Sequence, residues 1–191
     1  MNPDDLANPE LYINRELSLL EFNERVLQQV NFDDVPLLER LKYLCISSSN
    51  LDEVFEIRVA GLKQIIEVES PNIGPENINI HELLSQIGER AHQLVDDQYR
   101  LLNDKLLPHL QDEGIHFLKR NQWNEAQQQW VRDYFEKELL PMLSPIGLDP
   151  AHPFPRILNK SLHFIITLKG KDAFGRDRTM AILPAPRALP R

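Results

Sequence analysis

The run Ser47-Ser48-Ser49-Asn50 sets four small hydrogen-bonding side chains between two apolar segments, and Asn50 opens the tetrapeptide Asn-Leu-Asp-Glu. Two kinds of chemistry fit it. A carboxamide carries both a donor and an acceptor, so Asn50 can pair with a non-protein group that offers the reverse pattern. Asn50 followed three residues later by Glu53 is also a capping box, and asparagine is among the best N-caps, so the plainer role is to start a helix. Leu51, Phe55, Val59 and Leu62 recur behind it at helical spacing, and this helix is expected to run to about Val68.

The other reactive side chains are less organised. His81, His92, His109 and His116 are scattered, without a partner at a fixed short offset. His152 has Asp149 three residues before it, but it sits in the proline-flanked turn "DPAHPFP", where Asp and His satisfy backbone groups, and it reads as structural. There is no His-x-x-x-His or cysteine pair, so no metal site is expected. With seven glycines and nothing closer to a phosphate-cradling loop than "KGKDAFG", a P-loop is not expected either. Arg156, Lys160, Lys169, Lys171, Arg176 and Arg178 cluster late in the chain, interspersed with Asp172 and Asp177. A solvated hairpin accounts for them. The sharper reading is a path for a polyanion, with Arg156 its first contact and salt weakening the attraction.

Composition frames these groups. The 191 residues are 42% hydrophobic and 26% charged, which predicts a packed core. A net charge of −8 argues against a general nucleic-acid binder. The charge is uneven: residues 1–120 carry 11 basic against 22 acidic side chains, and residues 121–191 carry 10 against 7. The only cysteine, Cys45, excludes an internal disulfide and is expected as a buried, inert thiol in a reducing compartment. The opening "MNPDDLANPE" lacks the basic flank and apolar run of a signal peptide, and no apolar window approaches the roughly 20 residues that cross a bilayer. A cytoplasmic protein is expected.

The elements that must position these residues are mainly helical. Residues 1–10 read as a flexible leader. "ELSLLEFNERVLQQV" predicts a helix capped by Ser18 and Glu21, with Leu20, Val26, Leu27 and Val30 on its apolar face. A second helix is predicted from Asp34, with Leu37, Leu38, Leu41, Leu44 and Cys45 as its stripe, and a third from Asn50. Asn79 and Glu82 open a long fourth helix that Pro108 bends and Gly114 stops. Residues 11–114 are thus expected to be an antiparallel helical bundle. Beyond it, "GIHFL" is a short extended candidate, "WNEAQQQWVRDYFEKELLPML" a fifth helix, and "SLHFIITLKG" with "RTMAILPAP" a β-hairpin. The four prolines of "SPIGLDPAHPFPRI" exclude helix or central strand there. Two strands need a further partner to be stable, so residues 115–191 are expected to begin an α+β domain that is incomplete.

Three blocks, "LYINRELSLLEFNERVL" (Leu11–Leu27), "ISSSNLDEVFEIRVAGLKQ" (Ile46–Gln64) and "LLPMLSPIGLDPAHPFPRILNKSLHF" (Leu139–Phe164), together resemble the N-terminal part of the ATP-dependent polyphosphate kinases. Leu19 departs from the pattern, since that position is usually tryptophan in the family. The resemblance implies an N-terminal helical domain, the start of a head domain that serves oligomerisation, and two C-terminal domains of phospholipase-D-like fold. It implies reversible transfer of the ATP terminal phosphate to polyphosphate through a phosphohistidine, with magnesium. The phosphorylated histidine and the metal-binding residues belong to those C-terminal domains, so no catalytic or metal-binding residue is assigned here and this part alone is expected to be inactive.

The resemblance also assigns Asn50 a contact with the adenine base of ATP. If Asn50 caps a helix, Asp52 and Glu53 occupy its first turn. Two unit charges 4 Å apart repel by about 4 kcal/mol at an effective dielectric of 20, so a triphosphate should avoid that tip whereas a neutral base should not. The rival readings are a non-catalytic helical interaction module and a nucleotide-binding regulatory domain.

Overall fold

The computed structural model describes residues 11–67, 72–73, 78–149, 152–171 and 180–186. The leader 1–10, Val68, Arg176, Arg178 and most of the hairpin loop lie outside the described residues. The chain divides into two compact units, Met1–Phe117 and Leu118–Arg191.

The first unit is helical. Helix α1 (Arg15–Gln28) is capped one turn earlier than expected: the Asn14 side chain accepts from the backbone N–H groups of Glu16 and Leu17, which leaves Ser18 inside the helix. Asparagine offers its oxygen at the same reach as serine, so the earlier cap takes the role. Helix α2 (Leu37–Glu53) begins after Pro36, with Asp33 of the preceding turn bonded to Arg40 at 3.2 Å, and Asp34 is not its cap.

The second and third expected helices are segments of one rod. Helix α2 passes through a π-helical turn, Val54–Val59, into α3 (Ala60–Glu67) without a break in helical backbone angles. The serines therefore lie on a helix and not in a loop. The buried stripe runs Arg40, Leu44, Ser47, Leu51, Val54, Val59, Leu62. Its steps of three and four give way to a step of five at the π turn, where the extra residue turns Phe55 outward to 41% exposure. The same helical phase exposes Leu38 and Cys45 and corrects the expected buried thiol.

Asn79 caps α4 (Ile80–Leu101) through the His81 N–H, and Ile80, Leu83, Ile87, Ala91, Leu94 and Gln98 form its buried face. The rod continues through a π turn (Leu102–Leu106) into α5 (Leu107–Asp112), then stops at Gly114 (φ +81°), where the Ile115 N–H reaches the Leu110 carbonyl. The core between α1, α2, α3 and α4 is built from these stripes.

In the second unit, α6 (Glu125–Tyr134) opens on a reciprocal capping box between Asn124 and Gln127. It runs into a π turn (Phe135–Leu139) and a 3-10 turn holding Pro141. "GIHFL" forms no strand. The β-rich runs form a three-stranded antiparallel sheet in the order β1, β3, β2, where β1 is Ile146–Gly147, β2 His163–Thr167 and β3 Met180–Pro184. Ile165 pairs with Ile182 on one side, and Ile146 pairs with Ile182 on the other. The third strand that the hairpin needed thus comes from the proline-rich segment, as a two-residue edge beside Pro145. A separate two-residue pairing joins 72–73 to 78–79.

Candidate functional site

A groove of about 270 Å³ opens on the first unit, near the lower size limit of small-molecule clefts. It is lined by Leu19, Phe22 and Asn23 of α1, Asn50 and Glu53 of α2, and Val54, Ile57 and Arg58 of the π turn. Asn50 is therefore on a concave, mostly apolar surface, and Leu19, the position that departs from the family pattern, lines it too.

The π turn shapes this groove. Of the three π turns among the described residues, two have a proline close behind, at Pro108 and Pro141. Proline lacks the N–H of the regular ladder and its ring crowds the carbonyl one turn back, which accounts for the local widening. The turn at Val54–Val59 has no proline near it. It keeps Val54 and Val59 in the core while presenting Ile57 and Arg58 to the groove.

Asn50 is held by a polar relay that crosses three helices. Its Nδ2 donates to Asn23 Oδ1 at 3.2 Å, and Asn23 Nδ2 donates to the Ser47 carbonyl at 2.8 Å. Gln98 Nε2 of α4 donates to Ser47 Oγ at 2.9 Å. Asn23 and Ser47 are buried, so each bond forms where an unmet polar group would cost about 1–3 kcal/mol. Of the serine run, Ser47 thus ties the helices together, while Ser48 and Ser49 are exposed.

This geometry revises the capping argument. Asn50 lies inside a continuous rod, so it meets no free N–H groups, and no acidic helix tip exists there. Glu53 does line the groove, but Arg58 lines it too. The lining is otherwise apolar, with Asn23, Asn50, Glu53 and Arg58 as its polar residues. Sequence reasoning singled out Asn50 but missed Asn23, Phe22 and Arg58. Asn23 could have been found as the one polar residue on the α1 stripe Leu20, Asn23, Leu27.

The remaining candidates are not among the residues that line the groove. Arg156 is an exposed residue of the second unit, as are Lys160, Lys169 and Lys171. The His152 N–H closes a turn on the Asp149 carbonyl at 3.0 Å, with the two side chains 3.6 Å apart. No group of three His, Cys, Asp or Glu side chains that could hold a metal ion occurs among the described residues. No helix among them is long and apolar enough to cross a membrane.

Comparison with known proteins identifies the fold. Residues 12–118 match the polyphosphate kinase N-terminal domain, and residues 126–191 match the polyphosphate kinase middle domain. A polyphosphate kinase of Burkholderia vietnamiensis is 54% identical over 179 residues, and one of Paraburkholderia phytofirmans is 55% identical over the same length. Each alignment covers 94% of this chain and 26% of the relative. The crystal structure of polyphosphate kinase from Porphyromonas gingivalis superposes with a TM-score of 0.72 at 28% identity, over 91% of this chain and 25% of that one. Nearly the whole chain, about a quarter of its relatives' length, is accounted for by these matches, and it belongs to the polyphosphate kinase family.

Proposed function

We propose that this chain supplies the adenine-binding part of an enzyme that reversibly transfers the terminal phosphate of ATP to inorganic polyphosphate. Asn50 pairs with the base edge, while Leu19, Phe22 and Ile57 offer apolar surface to its faces. The observation that carries this reading is the groove itself: a carboxamide held by Asn23 in the lining of a mostly apolar cleft, at the position the family resemblance assigns to the base.

Chemistry then belongs elsewhere in the enzyme. On the family resemblance, the phosphorylated histidine and the magnesium-binding residues are expected in C-terminal domains, outside the quarter of the family length spanned here. The part described binds and orients. Arg58 adds a positive charge to the groove lining, and Arg156 with its basic neighbours offers a contact for polyphosphate. Assembly into a homo-oligomer and a cytoplasmic location complete the proposal.

The test is an assay of the complete protein bearing this chain, supplied with ATP labelled on its terminal phosphate. Label should accumulate in an acid-insoluble polymer that exopolyphosphatase degrades. Binding of protein partners without nucleotide turnover would instead favour a helical interaction module.

A further inference from the structure

Asn23 is 1% exposed, and both ends of its carboxamide are engaged. A carbonyl oxygen can only accept, so the Ser47 carbonyl decides which end of Asn23 faces it. That choice is transmitted. With Asn23 Nδ2 toward Ser47, Asn23 Oδ1 points to Asn50 and requires a donor from it. An Asn50 carboxamide turned the other way would set oxygen against oxygen. Ser47 is itself held by Gln98, so the reference point does not drift. Asn50 therefore presents its Oδ1 and its second N–H to the groove in one fixed order.

We propose that Asn23 is a specificity-determining positioning residue, which fixes the Asn50 carboxamide so that the groove selects a purine with an amino group at position 6 over one with a carbonyl there. The inference rests on the reading of the groove as a base site. A 6-amino purine offers a donor at position 6 beside a ring-nitrogen acceptor at position 1. A 6-oxo purine offers an acceptor at 6 and a donor at 1, the reverse order. A locked carboxamide matches the first, and one free to turn over matches both.

The experiment uses a complete polyphosphate kinase bearing this chain, with ATP and inosine triphosphate as paired substrates, because they differ only at positions 6 and 1. Asn23→Leu keeps a similar volume and removes the acceptor. The kcat/KM of inosine triphosphate relative to ATP should rise roughly tenfold, mainly through KM. Asn23→Asp, its carboxyl kept protonated by burial, offers an O–H to the Ser47 carbonyl and an oxygen to Asn50, and should retain the parental ratio. If the leucine variant fails to fold, Asn23→Ser carries the same test, since its shorter side chain cannot span both partners.

A purely structural Asn23 would weaken both substrates alike, so an unchanged ratio in the leucine or serine variant overturns the proposal. An equal rise in Asn23→Asp overturns it as well, because an oxygen acceptor is then not what holds Asn50. Asn50→Ala separates the two claims. No change in its ATP KM removes the base site altogether, whereas a raised KM alongside an unmoved Asn23→Leu ratio removes only the positioning role.

Discussion

Helices α1, α2, α3 and α4 contribute buried side chains to a shared core, whereas Ala181 and Ile182 are the only buried side chains described in residues 118–186. In that second unit Trp130, Phe154, Phe164 and Ile165 are all more than half exposed. Exposed apolar surface of this kind marks regions that a folded protein covers with something else. The two units thus rest on different sources of order. The first has interdigitated stripes and a buried polar relay, and the second depends on local devices such as the Asn124–Gln127 box, the Trp130–Tyr134 stack and a short antiparallel ladder. A rigid unit is the one able to hold a carboxamide in a fixed order, and that is where the groove lies.

The sharpest way to break this comparison is to truncate one large apolar side chain in each unit. Ile87→Ala removes a side chain 1% exposed and should cost about 3 kcal/mol in urea unfolding followed by helical circular dichroism. Phe164→Ala, at a position 51% exposed, should cost about 0.5 kcal/mol or less. Equal losses would mean that the units are packed alike. Filling the groove comes next: Ile57→Trp, at a lining position 59% exposed, should raise the ATP KM of the complete enzyme about fivefold and leave the unfolding midpoint nearly unchanged.

Capping residues sharpen the contrast at smaller scale. Asn79→Ala and Asn124→Ala each remove a side-chain acceptor from a helix start, a loss of about 1 kcal/mol. In α4 the buried stripe should confine the effect to the first turn. In α6, which buries no residue, amide exchange should quicken along the whole helix. The smallest expected change is at Arg156. Arg156→Ala should raise the polyphosphate KM about twofold at low salt, and the difference should vanish as salt is added.

Much of this was legible in the sequence, for identifiable reasons. The Asn79 cap, the Gly114 stop and the hairpin each depend on local chemistry that a short window contains. The fusion of the second and third helices was not legible, because Ser47-Ser48-Ser49-Asn50 has the composition of a cap. What overrides that signal is tertiary: Ser47 faces Asn23 and Gln98, and the helix is extended through a core that only the fold assembles. The π turn was hidden for the same reason, since no proline announces it. Asn50 was found through its motif and its family, whereas the relay behind it needed α1 and α4 in place.

The most direct measurement is the pair of Michaelis constants in Asn50→Ala, taken on the complete enzyme. The account predicts an ATP KM raised about tenfold, with kcat and the polyphosphate KM within about twofold of the parent. An unchanged ATP KM, or equal rises for both substrates, would contradict it.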